Sequence, residues 1–144
     1  MPVNVLYSTS ARATGGRDGR SGTLDGNLEV KLVTPKELGG PGGEGVNPEQ
    51  LFATGYAACF LGAMKFVASK MTPPLKLAPD SSTTAHVSFG PRDDGEGFGL
   101  EVVMDVNLPG LDKAAAKDLA TKAHVVCPYS HATKGNIKVT TNIV

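Results

Sequence analysis

Apolar and polar residues alternate with a period near two from Val3 to Ala13 and again from Leu24 to Val33, where Leu28, Val30 and Leu32 oppose Asn27, Glu29 and Lys31. This spacing predicts strands with one wet face. Gly15-Gly16-Arg17-Asp18-Gly19 and Asp25-Gly26 supply turn signals, the second of a tight hairpin type, so the first third reads as a small antiparallel sheet. Leu38 to Gly45 then holds five glycines. No Lys-Ser or Lys-Thr follows them, as a phosphate loop requires, and the segment reads as a flexible connector.

The period changes at Asn47-Pro48-Glu49-Gln50. Asn at the cap, Pro at the first helical position, an acid in the first turn and Gln placed for a capping box predict a helix start. That helix should run to about Lys70 and stop before Pro73-Pro74. Strand alternation returns over Thr83 to Phe89 and Phe98 to Leu108, with Arg92 to Gly97 as the turn of a second hairpin. Asp112 caps a second helix whose Ala115, Leu119, Ala123 and Val126 form an apolar stripe and which ends at Cys127-Pro128. Ile137 to Val144 is a last strand. The order predicts an α+β fold with no nucleotide-binding βαβ unit.

Length and charge narrow the function. At 144 residues the chain fits a single domain, residues 1–144, that buries about 70% of its unfolded surface and needs no disulfide staple. Fourteen basic residues balance fourteen acidic ones, which points away from nucleic acid and anionic membranes. Met1 to Tyr7 lacks the pattern of a secretory signal, so a reducing cytoplasm is expected. Leu51 to Ser69 nearly reaches a membrane span but contains Thr54, Gly55, Gly62 and Lys65; it reads as a core helix.

The chemistry centres on two cysteines. Cys59 lies in the apolar stretch Leu51 to Met64, and Cys127 directly precedes Pro128, which pushes it out of the α region. One thiol looks fixed and the other looks set where backbone can move, the combination that two-thiol redox chemistry uses. Alone, the surroundings of Cys59 suit an inert core thiol better than a reactive one. It sits too far into its helix for the N-terminal dipole to lower its pKa, so activation requires a charge from another segment. Arg17, between Gly15-Gly16 and Gly19, is the best candidate, since those glycines let the backbone aim its side chain inward, although a solvated arginine is the ordinary occupant of such a turn. A close cation lowers such a pKa by roughly 1–3 units.

Glu49 is the natural holder for that arginine, although capping its helix is role enough. Ten residues separate it from Cys59, about 15 Å along one helix. A shared site therefore calls for a homodimer in which two copies of the helix run antiparallel and cross near Thr54-Gly55, with Glu49 arriving from the other subunit. His86, His124 and His131 have no second ligand pair such as CxxC, so no metal is expected. His124 reads as a favourable helix C-terminal residue. No Gly-x-Ser-x-Gly elbow of a hydrolase is present.

Three separated motifs resemble one family. Ala13 to Arg20, Asn47-Pro48-Glu49-Gln50-Leu51-Phe52 leading to Ala58-Cys59-Phe60, and Val126-Cys127-Pro128-Tyr129-Ser130 with Gly135-Asn136-Ile137 are similar to the organic hydroperoxide resistance proteins of the OsmC/Ohr family. The resemblance covers nearly the whole chain. It implies an OsmC-like fold, antiparallel sheets wrapped around long central helices in an intertwined homodimer, with sites at the subunit interface. It implies Cys59 as the peroxidatic cysteine, Cys127 as the resolving one, and Arg17 with Glu49 as the activating pair. Organic hydroperoxides, including those of fatty acids, are the implied substrates, and a lipoyl dithiol on a lipoylated protein the external reductant, with no bound cofactor. Lys134 stands where the family often has arginine, and the Met71 to Thr84 segment is longer than the family leads one to expect.

The implied cycle is a Cys59 sulfenic acid resolved as a Cys59–Cys127 disulfide. Phe52, Tyr56, Phe60 and Met64 are candidates for an apolar wall favouring an alkyl tail, with core packing as their alternative role. The rival from another class is a redox-responsive binding protein switched by the same disulfide.

Overall fold

In the computed structural model, which describes residues 2–144, these divide into two compact units, one up to residue 51 and one over 52–144. The first unit holds three short antiparallel strands in the order β1 (Ala11–Thr14), β2 (Arg20–Thr23), β3 (Glu29–Lys31). The strand expected over Val3 to Ala13 begins only at Ala11. A strand needs a ladder partner, and β2 is four residues long, so Val3, Val5, Leu6 and Tyr7 stay exposed.

Glycine makes the β1–β2 turn possible. Gly15 and Gly16 have φ of 74° and 63°, in the left-handed region that costs glycine little. A Cβ at Gly19 would fall 1.7 Å from the Thr14 carbonyl oxygen. Between them a 3-10 turn, Gly16–Asp18, carries Arg17.

The glycine-rich stretch is less loose than expected. Gly39, Gly40 and Gly42 donate backbone N–H groups to Lys36, Pro35 and Thr34 carbonyls, and a Leu32–Val46 bridge closes its base.

Helix α1 spans Pro48–Ser69. The capping box forms as expected: Gln50 N–H donates to Asn47 Oδ1 at 2.8 Å and Asn47 N–H to Gln50 Oε1 at 3.0 Å. α1 is long and apolar enough to cross a membrane by length and composition, but its Tyr56, Phe60, Ala63, Met64 and Ala68 are packed into the core of the second unit.

That unit continues with β4 (Ser82–Pro91) and β5 (Phe98–Asn107), an antiparallel hairpin pairing Ser82 with Asn107 and Pro91 with Phe98. Val102, Met104 and Val106 alternate inward along β5. Helix α2 (Lys113–Val126) starts where Asp112 accepts the Ala115 N–H at 2.8 Å. A short α3 (Pro128–Thr133), absent from the expected elements, follows directly, and β6 (Val139–Ile143) ends the chain.

Two expectations are corrected here. The buried stripe of α2 is Ala116, Leu119, Ala120 and Ala123, while Ala115 is exposed and Val126 is 43% exposed; the register sits one residue off at both ends, and continuing it four residues past Ala123 reaches buried Cys127. The second sheet is mixed, since β6 pairs parallel to β5. The helical segment between them is long enough to carry the chain back across the sheet.

Candidate active site

Cys59 and Cys127 are brought together from 68 positions apart: their sulfurs are 3.4 Å from each other and both are free thiols. Cys59 points from α1 and keeps some exposure, while Cys127 has none. Cys127 ends α2 and begins α3. Its backbone is extended, at φ −65° and ψ 121°, as a residue before proline requires. Its N–H donates to the Ala123 carbonyl and its carbonyl accepts the His131 N–H. Cys127 is therefore not the loose thiol that its place before Pro128 suggests, while Cys59 is fixed within α1 as expected. Cys127 is held at both backbone groups inside the core, and Cys59 is the sulfur with access to its surroundings.

Burial pushes the Cys59 thiol above its ordinary pKa, and the backbone N–H of Tyr129 acts the other way by donating to the sulfur. The Tyr129 ring lies against α1 at Gly55, where a Cβ would come 2.9 Å from its hydroxyl oxygen. Tyr129 also meets the rings of Tyr56 and Phe52 at centroid distances of 5.8 and 6.1 Å.

Of the four residues expected to form an apolar wall, Tyr56, Phe60 and Met64 have no exposed surface. They are core residues in this chain, because their positions on α1 face β5 and α2. Phe52 alone among them keeps some surface, and Tyr129, which lies against it, was missed. Its signal was the bend that Pro128 imposes.

Near Cys127 runs a polar chain, buried at Tyr56 and Ser130 and half-buried at His124 and Thr141. Tyr56 Oη is 2.8 Å from Ser130 Oγ, Ser130 Oγ is 2.8 Å from His124 Nδ1, and His124 Nε2 is 2.7 Å from Thr141 Oγ1 on β6. His124 also faces the Phe60 ring at 4.3 Å. Burial holds its pKa below the usual histidine value. It is thus a neutral, doubly hydrogen-bonded ring and not the dipole-stabilised cation expected at a helix end.

In residues 1–51, Arg17 grips Glu49 with two hydrogen bonds, Nη1 to Oε2 at 2.9 Å and Nη2 to Oε1 at 2.6 Å. The fork matches the carboxylate edge for edge. Each partner shifts the other: Glu49 is held below the usual carboxylate range and Arg17 above its ordinary value, chiefly through these hydrogen bonds. The pair closes within one chain, which corrects the expectation of a Glu49 reaching Arg17 from another subunit. Among the described residues, no three His, Cys, Asp or Glu side chains gather as a metal site would.

Residues 40–142 match the family described as OsmC-like protein. The organic hydroperoxide resistance protein of Xanthomonas axonopodis pv. citri is 54% identical over 139 residues, covering 96% of this chain and 95% of that one. A crystal structure of such a protein from Legionella pneumophila, 45% identical, superimposes with a TM-score of 0.89 over 97% of this chain and 98% of that one. A Vibrio cholerae structure described as a putative organic hydroperoxide resistance protein with captopril in one of its active sites, 43% identical, gives 0.90 over 99% and 95%.

Proposed function

The chain belongs to the OsmC-like family, on its organic hydroperoxide resistance branch, and from that footing we propose that it reduces organic hydroperoxides, fatty-acid hydroperoxides among them, to alcohols. Cys59 is the peroxidatic thiol and Cys127 the resolving thiol. The observation that carries this reading is the 3.4 Å separation of two free sulfurs, one accessible and one buried.

In the first step the Cys59 thiolate attacks the terminal peroxide oxygen. An S–O bond forms, the O–O bond breaks, and the departing alkoxide takes a proton to leave as alcohol, so sulfur is oxidised to a sulfenic acid. In the second step Cys127 attacks the Cys59 sulfur; the S–S bond forms, the S–O bond breaks, and the hydroxyl leaves as water with the Cys127 proton. The sulfurs need to close by only about 1.4 Å to reach disulfide length. An external dithiol, in our reading a lipoyl group on a lipoylated protein, then restores both thiols by exchange. No bound cofactor enters, and the expected compartment is the cytoplasm.

The first step needs thiolate, and burial disfavours it at Cys59. Arg17 supplies the offset in this reading, since a cation beside a thiol lowers its pKa by about 1–3 units and also stabilises charge developing on the peroxide oxygen. Its two bonds to Glu49 leave it little freedom to lose. Because helix rise separates Glu49 and Cys59 of one copy by about 15 Å, we assign the Arg17–Glu49 pair of one copy to Cys59 of a second, in a homodimer. Supporting a second copy, α1 leaves Thr54, Ala58, Gly62 and Phe66 exposed along one face, and the apolar side chains of Val3, Val5, Leu6 and Tyr7 are uncovered. Tyr129, whose backbone N–H reaches the Cys59 sulfur, and Phe52 against its ring suit an alkyl tail better than small, hydrated hydrogen peroxide.

The test is turnover. With excess organic hydroperoxide and dihydrolipoamide, many equivalents of alcohol per subunit are expected, with hydrogen peroxide slower. Consumption of one equivalent and no more would identify a redox-switched binding protein instead.

A further inference from the structure

The sulfur contact has a parallel neighbour. Tyr56 precedes Cys59 by three residues on α1, and Ser130 follows Cys127 by three. Two rungs therefore join α1 to the α2–α3 junction: Cys59 to Cys127 through sulfur at 3.4 Å, and Tyr56 to Ser130 through oxygen at 2.8 Å. Tyr56 is fully buried and Ser130 is 5% exposed. Ser130 is fixed from its other side by His124 Nδ1, and His124 in turn by Thr141. A neutral imidazole donates at one nitrogen and accepts at the other, and each hydroxyl can do both, so every group in the chain is satisfied.

We propose that the Tyr56–Ser130 rung, backed by His124 and Thr141, positions Cys127 for attack on oxidised Cys59, which makes Ser130 and His124 positioning residues for disulfide formation. This rests on the reading of Cys127 as the resolving thiol. A thiol is a weak donor and a weak acceptor, so the contact between the two sulfurs cannot by itself hold the α2–α3 junction against α1. The buried oxygen rung can, because breaking it leaves polar atoms unsatisfied away from water. Once the disulfide exists, the covalent bond holds both segments and the oxygen rung becomes redundant. Removing the rung therefore releases the dithiol state far more than the disulfide state and lowers the effective concentration of one sulfur at the other.

The test is the equilibrium between the Cys59–Cys127 disulfide and the dithiol in graded dithiothreitol redox buffers, read by mass spectrometry on whole protein. Wild type, Ser130→Ala, Tyr56→Phe and the double variant are compared. Each single change is expected to lower the constant for disulfide formation about tenfold, which is about 30 mV for this two-electron couple. The double variant should lose no more than Ser130→Ala alone, because both changes break the same rung. Ser130→Thr, which keeps the hydroxyl, should recover most of the loss and so separates the rung from a general folding defect. Single variants within twofold of wild type, or losses that add in the double, overturn the inference while leaving Cys127 as the resolving thiol. A wild type that forms no Cys59–Cys127 disulfide in any buffer overturns both.

Discussion

Cys59 Sγ stands 3.4 Å from Cys127 Sγ, and the two sulfurs differ in access: one keeps surface and the other has none. In the proposed cycle the first meets the peroxide, while the second, out of reach of solvent, closes on it afterwards. On this arrangement Cys59→Ser abolishes hydroperoxide reduction. Cys127→Ser permits one turnover and then leaves Cys59 to over-oxidise. Product counting with mass analysis of Cys59 checks both, and sustained lipoyl-dependent turnover by the second variant would remove the resolving role.

Arg17 and Glu49 form a two-bond pair that we assign to activation of the thiol. Arg17→Ala should raise the pH at which the Cys59 thiol ionises and slow the first step near neutrality by about tenfold or more, one pKa unit being a factor of ten. Arg17→Lys keeps the charge but loses the fork, and should fall between. The pH dependence of thiolate absorbance reads this directly; an identical profile for wild type and Arg17→Ala would count against activation by this guanidinium.

Because Glu49 is held below the usual carboxylate range, its contribution to stability is present at neutral pH. It is lost only as pH falls below its ordinary value of 4.5 toward the lower folded value. Activity lost on mild acidification to about pH 6 therefore does not come from this pair.

His124 behaves oppositely to a surface histidine. Burial among Ser130, Thr141 and the Phe60 ring lowers its pKa, so the unfolded chain binds a proton before the folded one does. The stability it contributes is complete above the unfolded value of 6.5 and drains away as pH drops below it toward the folded value. Chemical denaturation at pH 7.5 and 5.5 should show this loss in wild type and a flatter dependence in His124→Gln.

Much of this was legible because it is local. The capping box at Asn47 and Gln50 and the cap at Asp112 involve residues three apart, and both formed as the residue types require. Arg17 could be singled out from its flanking glycines, and Glu49 from its place in a first helical turn. What escaped depends on tertiary partners. The exposure of Val3 to Tyr7 turns on a ladder partner too short to pair them, and the parallel pairing of β6 on how α2 and α3 cross back. The burial of Tyr56, Phe60 and Met64 could not be told from substrate contact, since an apolar helix face serves either use. His124 reads as a favourable helix C-terminal residue in the sequence, and only the tertiary fold closes Ser130 and Thr141 on its ring.

Gly55 offers a check on access to the thiol. Alanine there gains helix propensity of about 1 kcal/mol, but its Cβ would meet the Tyr129 hydroxyl oxygen at 2.9 Å and the ring at 3.2 Å. The contact is with the tip of a side chain that is 39% exposed, so the ring can swing aside. Gly55→Ala should therefore change stability by less than about 1 kcal/mol while raising the rate at which a neutral alkylating reagent labels Cys59. Unchanged labelling would show that Tyr129 does not shield the sulfur.

A thiol peroxidase of this kind is defined by where the first oxidising equivalent goes. Reduced protein mixed with one equivalent of a long-chain fatty-acid hydroperoxide and quenched with acid should yield one alcohol and one Cys59–Cys127 disulfide within each chain. Recovery of intact hydroperoxide with both cysteines still reduced, or oxidation that leaves these two sulfurs unlinked, would contradict it.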